Sequence, residues 1–491
     1  MRPLLQLALA TQVAALGPLW PLPQRVVPGS GSVLLNPATY RFEAITTPAE
    51  LLKAFKRYRP LFFPRTSTPL PAAVDAGLVV NVRDDQADLA LGVNESYNLD
   101  VNIDGTAVIT AETVWGALRG LETLSQLIVF NFTTGQYSIS GLPLHIEDAP
   151  RFPHRGLLID SGRHFEPVAQ VKALLDSMQY AKFNVLHWHL TEDQSFPIAS
   201  RSFPELPQHG AYSDQEQYTW QDISEVVQYA RDRGIRVIPE FDMPGHSSSW
   251  RNSHPEIFAE GCLSETSRGA FDPANRATFA FLLAALKDWT SGMFVDGFVH
   301  LGSDEVPSDC WNNTKDLAWM RSQGLANFTE VFDYFVNQMV LMAKKLGKQT
   351  ILWDEAFMSA KPPKEAVIQN WHDSKLMQQI VNAGYRALLS NGWYLDHLKT
   401  TWESMYAMDP QFNISQDKAH LVLGGEGCMW GETVDPSDME STIWPRAAAI
   451  AERLWSSAGA NSTEEAEPRL LAFRPTGPLA SWGGLIGLRV P

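Results

Sequence analysis

The chain has 491 residues, 45% of them hydrophobic and 19% charged. That composition excludes a disordered chain and gives two domains, or one large barrel with an appendage. Lys+Arg 39 against Asp+Glu 55 leaves a formal charge of −16, which argues against nucleic acid or an anionic membrane surface as the main partner.

Residues 1–18 carry one arginine, then the apolar run LLQLALATQVAALG and small residues. This reads as a signal peptide rather than a membrane span, being too short to cross a bilayer. Export agrees with six N-x-S/T sequons, at Asn94, Asn131, Asn312, Asn327, Asn413 and Asn461. The expected location is the secretory pathway, either outside the cell or in a lysosome or vacuole. No later run of eighteen apolar residues predicts a span.

Residues 19–150 alternate strand-like text (VLLNPATYRFEAI, LGVNESYNLDVNIDGTAVITA) with helical spacing (TPAELLKAFKRYRPLFF, AETVWGALRGLETLSQLIVF), predicting a small α+β domain. The proline-studded GLPLHIEDAPRFPHRG reads as a joint and marks its end.

From residue 151 to 491 short apolar runs alternate with amphipathic stretches. Repeated strand–helix units mean a parallel sheet, and about eight over some three hundred residues favour a closed (β/α)8 TIM barrel. No GxGxxG or P-loop follows a strand, which weakens the open doubly wound alternative. The apolar runs end in polar and aromatic residues: Asp160 to His164, His187 to Asp193, Glu240 to His246, His300 to Glu305, Trp353 to Glu355, Trp371 to Asp373, Asn391 to Asp396, and Trp430 to Glu432. The carboxyl ends of barrel strands share one face, so these groups should converge on one cleft.

Within that cleft, HLGSDEV places Asp304 and Glu305 side by side after a strand. Two carboxyls with different proton affinities suit glycoside cleavage, one protonating the leaving oxygen and the other meeting positive charge at the anomeric carbon. EFDMPGHSSSW supplies Asp242 and His246, with His246 coupled to Glu305 and Asp242 fixing its tautomer. Arg163 can donate several bonds to vicinal hydroxyls, Trp353, Trp371 and Trp430 can wall a pyranose ring, and Tyr394 can donate to a carbonyl. In an oxidising compartment Cys262 and Cys310 could pair and leave Cys428 over; three buried thiols is the other reading. No CxxC or HExxH spacing occurs, and no metal or cofactor is expected.

RGLLIDSGRHF, NVLHWHLTEDQSF, EFDMPGHSSSW, HLGSDEV, ILWDEAF, NGWYLD and CMWGE together resemble the β-N-acetylhexosaminidases, in the branch with eukaryotic lysosomal and fungal enzymes. LWPLPQ and AFKRYRPLFF resemble that family's N-terminal domain, and the likeness runs from about Leu19 to about Ser456. It implies exo-acting hydrolysis of terminal β-linked GlcNAc or GalNAc on an oligosaccharide or glycoconjugate, in which the substrate's acetamido oxygen attacks the anomeric carbon to give an oxazolinium intermediate. Glu305 takes the place of the general acid/base and Asp304 that of the carboxylate steering the acetamido group. Tyr394 would hold the acetamido oxygen. Arg163 and Glu432 would bind sugar hydroxyls, with Asp396 near the 6-position. Trp353, Trp371 and Trp430 would line the pocket, and Asp242 and His246 would support Glu305. The resemblance also implies a Cys262–Cys310 bridge and a frequent homodimer. Two departures stand out. Glu192 precedes Asp193 where relatives often have two aspartates, and the chain ends in a Gly/Pro-rich tail, RPTGPLASWGGLIGLRVP, instead of a cysteine-containing helix.

Overall fold

The computed structural model describes residues 19–67, 73–263 and 268–473; the signal-peptide reading and the C-terminal tail lie outside them. Strands β1 (Arg25–Leu35), β2 (Arg41–Ala44), β3 (Gly77–Asp84), β4 (Tyr97–Val101), β5 (Ala107–Thr113), β6 (Val129–Asn131) and β7 (Gln136–Asp148) form one mixed sheet. Its order is β1-β7-β4-β5-β3-β2, with β6 also on β7. Apolar side chains alternate along β3, β4 and β5, and the face they build is covered by helices α1 (Ala49–Phe62) and α2 (Val114–Leu127).

One expectation changes here. The first half of the stretch read as a joint, through Asp148, belongs to β7, which pairs along its length with β1 and β4. Pro143 is accommodated after a cis peptide bond. The connection to the next strand is therefore short, from Ala149 to Pro153.

The barrel closes as expected, in the order β10-β11-β12-β13-β14-β15-β8-β9. Its strands are β8 (His154–Asp160), β9 (Val185–Thr191), β10 (Arg236–Phe241), β11 (Phe298–His300), β12 (Gln349–Trp353), β13 (Val367–Asn370), β14 (Arg386–Leu389) and β15 (Val422–Met429), and every neighbouring pair is parallel. Packed outside them are helices such as Val168–Tyr180, Trp220–Arg231, Arg276–Thr290 and Phe328–Lys345. Among the described residues no helix is long and apolar enough to cross a membrane.

Because side chains alternate along a strand, the barrel interior is layered. The floor is apolar: Val185, Ile238, Phe298, Ile351, Val367, Leu388 and Leu423, with Leu91 of the N-terminal domain packed against it. Two to four residues further along the same strands the interior turns polar. Glu240 accepts from His189 Nδ1 at 2.7 Å and Trp353 Nε1 at 2.9 Å, and His187 Nε2 lies 2.9 Å away. Glu426 accepts from His187 Nδ1 and Gln369 Nε2, both at 2.8 Å, and from His154 at 2.6 Å. Gly156 faces Glu426; a Cβ there would come within 2.4 Å of its Cγ. Burial opposes charge on all of these groups, yet mutual attraction keeps both carboxyls ionised and lifts His187 to about 9 and His189 to about 10. His187 and His189, read as the end of a strand, are thus inside the barrel, below the cleft.

The two domains meet through buried ions. Glu95 accepts from Arg119 Nε of α2 at 2.9 Å and from Arg155 Nη2 of β8 at 2.8 and 2.9 Å, while Arg119 donates to the carbonyl of Gly234 at 2.7 Å. Trp455, closing the last barrel helix (Arg446–Trp455), donates to Asp148 of β7, which also pairs with the buried Lys182 at 3.0 Å.

Candidate active site

The ends of β8 to β15 place the expected side chains around one cleft. After β11 the chain passes through two consecutive residues with positive φ and a third at the acid itself: Gly302 (φ +55°), Ser303 (φ +85°) and Glu305 (φ +44°). Gly302 is required twice over, since a Cβ would sit 1.6 Å from Asp242 Oδ1. Non-glycine residues adopt such backbone at a cost of order 1–3 kcal/mol each, which surrounding structure must hold. Here Asp242 accepts from the Ser303 amide at 3.0 Å and holds the turn. The result points the adjacent carboxyls differently: Asp304 is 14% exposed and Glu305 49%.

His246, also left-handed (φ +49°), stands between them. Its Nε2 is 3.7 Å from Asp304 Oδ2 and 3.6 Å from Glu305 Oε2. Its Nδ1 lies 2.7 Å from Glu192 Oε1. This corrects the expected arrangement: the carboxylate on Nδ1 is Glu192, not Asp242. Asp242 faces Asp304 instead, and burial together with that like charge pushes its carboxyl well up. Burial works against an imidazolium at His246, but Asp304 and Glu192 outweigh it and raise the ring well above its ordinary value.

Glu192 also lies 2.7 Å from Arg163 Nη2, and its backbone-facing oxygen accepts from the Asp193 amide at 2.5 Å. The longer side chain is therefore accommodated, spanning two cations. Arg163 is held from its other side by Asp160 at 2.9 Å, stacks its guanidinium 5.1 Å from the Trp430 ring centre, and has Glu432 3.7 Å away. Its charge is secure: burial disfavours it, and Asp160, Glu192 and Glu432 more than restore it.

Trp353, Trp430, Trp371 and Tyr394 cluster on the far wall over Leu158 and Cys428. Trp353 and Trp430 lie 5.8 Å apart, and Trp371 stacks on Tyr394 at 6.2 Å. Trp371 donates to Glu355 at 3.0 Å. Glu355 had no assigned role in the sequence; burial first and Asp304 second push its carboxyl up to about 8. Asp396 is raised to about 6, mainly by burial, and its Oδ1 is buried without a hydrogen-bond partner. Cys262 and Cys310 form a disulfide beside the cleft, and Cys428 is the free, buried thiol. His187, Glu240 and His300 lie close enough to offer ligands to one ion, but Glu240 is already surrounded by ring N–H donors.

The catalytic-domain profile of glycosyl hydrolase family 20 matches residues 152–458, and a "beta-acetyl hexosaminidase like" profile matches residues 19–127. The chain belongs to glycosyl hydrolase family 20. It is similar to beta-hexosaminidase 1 of Arabidopsis thaliana, 40% identical over 93% of this chain and 88% of the relative. It is 38% identical to beta-hexosaminidase subunit alpha of Bos taurus, over 93% and 91% of the two chains. Among solved structures, the Flavobacterium johnsoniae chitobiase aligns with a TM-score of 0.85 at 31% identity, covering 96% of this chain and 73% of that one. Family 20 membership accounts for both the barrel and the smaller domain before it.

Proposed function

We propose that the chain is an exo-acting β-N-acetylhexosaminidase that releases terminal nonreducing β-GlcNAc or β-GalNAc through the substrate's own acetamido group. The observation that carries this reading is the pair Asp304–Glu305 meeting one imidazolium, His246, from two depths. Glu305, the more exposed, reaches the glycosidic oxygen and protonates it. The acetamido oxygen attacks the anomeric carbon as the leaving alcohol departs. Asp304, deeper and beside His246, accepts the acetamido N–H and stabilises positive charge as the oxazolinium ring closes. Glu305 then takes a proton from the incoming water, which opens that ring with net retention.

Tyr394 holds the acetamido oxygen, and Trp353, Trp371 and Trp430 exclude water around the methyl group and sugar face. Arg163 and Glu432 bind hydroxyls, and Asp396 faces the 6-hydroxyl. Asp242 acts on the chemistry by fixing the backbone turn under Asp304. Glu305→Gln should lower kcat by about 10²–10⁴ on substrates with poor leaving groups while binding persists. A thiazoline analogue of the oxazolinium should inhibit strongly. Equal hydrolysis of the matching β-glucoside, or indifference to the thiazoline, would overturn the acetamido mechanism.

The same proposal places the chain in the secretory pathway, outside the cell or in a lysosome or vacuole. Residues 1–18 supply the signal, and all six sequon asparagines are exposed and open to glycosylation. Glycosidase digestion of the exported protein tests this, and sedimentation of the full chain tests the homodimer.

A further inference from the structure

On its sugar side the cleft sets Asp304, Asp396 and Glu432 against Arg163 and His246, and the whole chain carries −16. Against that background one cation stands on the other side of the acid. Arg268 Nη1 lies 3.4 Å from Glu305 Oε2, and the Arg268 side chain is 64% exposed. Its backbone is fixed. The next amide, of Gly269, donates to Ser248 Oγ at 2.8 Å, and Ser248 is in turn held by Asp193 at 2.9 Å. Cys310 Sγ, of the disulfide, lies 3.6 Å from the Arg268 carbonyl oxygen.

The oxygen that Arg268 approaches is on the carboxyl that must deliver a proton to the leaving group. A group beside that oxygen and open to solvent therefore borders the departing alcohol and not the terminal sugar. Proton delivery also requires Glu305 to be neutral. In that form Arg268 has lost its ionic partner and stands as an unpaired guanidinium next to the leaving group. A carboxylate on the leaving sugar fits the vacancy, because guanidinium and carboxylate match in shape and form paired charge-assisted bonds. Without such a cation the acidic cleft would repel an anionic leaving group.

We propose that Arg268 forms a leaving-group subsite selective for a carboxylate-bearing sugar, so that the substrates favoured are terminal N-acetylhexosamines linked to a uronic acid. This rests on the hydrolase reading above. The test compares kcat/KM for N-acetylglucosamine β1,4-linked to glucuronic acid with the same sugar β1,4-linked to glucose. The expected preference for the uronate is about five-fold, the upper range for a partly exposed ion pair, and it should shrink at high salt. R268Q should bring the ratio to one or below, and R268K should retain part of it. A wild-type ratio of one or less, or a ratio unmoved by R268Q in protein of normal melting temperature, overturns the subsite while cleavage of the neutral disaccharide leaves the hydrolase reading standing. If R268Q does not fold, the salt dependence and R268K decide alone: a preference indifferent to both is not electrostatic. Cleavage of neither disaccharide removes both readings together.

Discussion

Replacing Glu192 with Gln removes one charge and leaves the shape nearly intact. Its carboxylate lies 2.7 Å from both His246 Nδ1 and Arg163 Nη2. The two cations respond differently. Arg163 keeps Asp160 at 2.9 Å and Glu432 at 3.7 Å, so it stays charged and in place. His246 loses the partner on Nδ1 but keeps Asp304, so it holds its proton less tightly and gives it up at lower pH. Its Nε2 then no longer offers positive charge to Asp304 and Glu305. Breaking a buried pair on one side costs about 3–5 kcal/mol, part of it in stability. If about 3 kcal/mol falls on the transition state, kcat drops by roughly 10²-fold. The basic limb of the pH–rate profile should move to lower pH, because the imidazolium is lost earlier. KM should change far less, since Arg163 is retained. E192D keeps the charge and should keep the limb. The assay is steady-state kinetics across pH, with melting curves to confirm a folded variant. A folded E192Q within three-fold of wild-type kcat and with an unmoved basic limb would refute the coupling.

The disulfide closes a segment with sequence separation 48, and the loop-entropy estimate gives about 4 kcal/mol for such a loop. Cys310→Ser should therefore lower the melting temperature and, by loosening the segment that carries Arg268, slow turnover; unchanged melting under reducing conditions would contradict this. Stability should be greatest near pH 5. Burial first, and then neighbouring acids, raise Glu355 and Glu166 to about 8, and mainly burial raises Asp396 to about 6. Groups raised on folding stabilise fully below their unfolded value and lose that contribution as pH climbs through the folded one. A fall of about 3 °C or more from pH 5 to pH 8 is expected, and a rise would be inconsistent. Asp396 repels a 6-sulfate only when ionised, so discrimination against 6-sulfated aryl glycosides should appear above about pH 6, narrow below it, and shrink in Asp396→Asn. A sulfated-to-neutral ratio flat across that range would remove Asp396 from the 6-position.

The barrel was legible because parallel strands covered on both faces read as short apolar runs, and helices between them read at their own period. Asp304 and Glu305 were legible because they follow such a run directly. The misassigned partner of His246 shows where sequence proximity misleads. Asp242 is four residues away, but the left-handed backbone at His246 turns the ring toward Glu192, which is 54 positions earlier. β7 was obscured by Pro143 within it and by the prolines just after it, since a proline ordinarily argues against a paired strand. His187 and His189 did carry a signal: histidines two apart on a strand share one face, and here that face is the barrel interior. Glu355 was lost among the acids of WDEAF, because nothing in that string says which carboxyl is buried beside Asp304.

The joint at Glu95 bears on how this chain can be divided. No described residue before position 150 is among the cleft side chains named above, and a barrel cut free there would retain every proposed catalytic side chain. It would also expose Leu91's place on the apolar floor, strip Arg155 of Glu95, and deprive Lys182 and Trp455 of Asp148. Two cations stripped of their counter-ions and an apolar floor newly open to water are a large loss against total stabilities of only about 5–15 kcal/mol. The smaller domain thus serves as a scaffold built into the enzyme. A minimal version of this hydrolase will have to keep it, or replace Arg155 and Lys182 with side chains that do not need it.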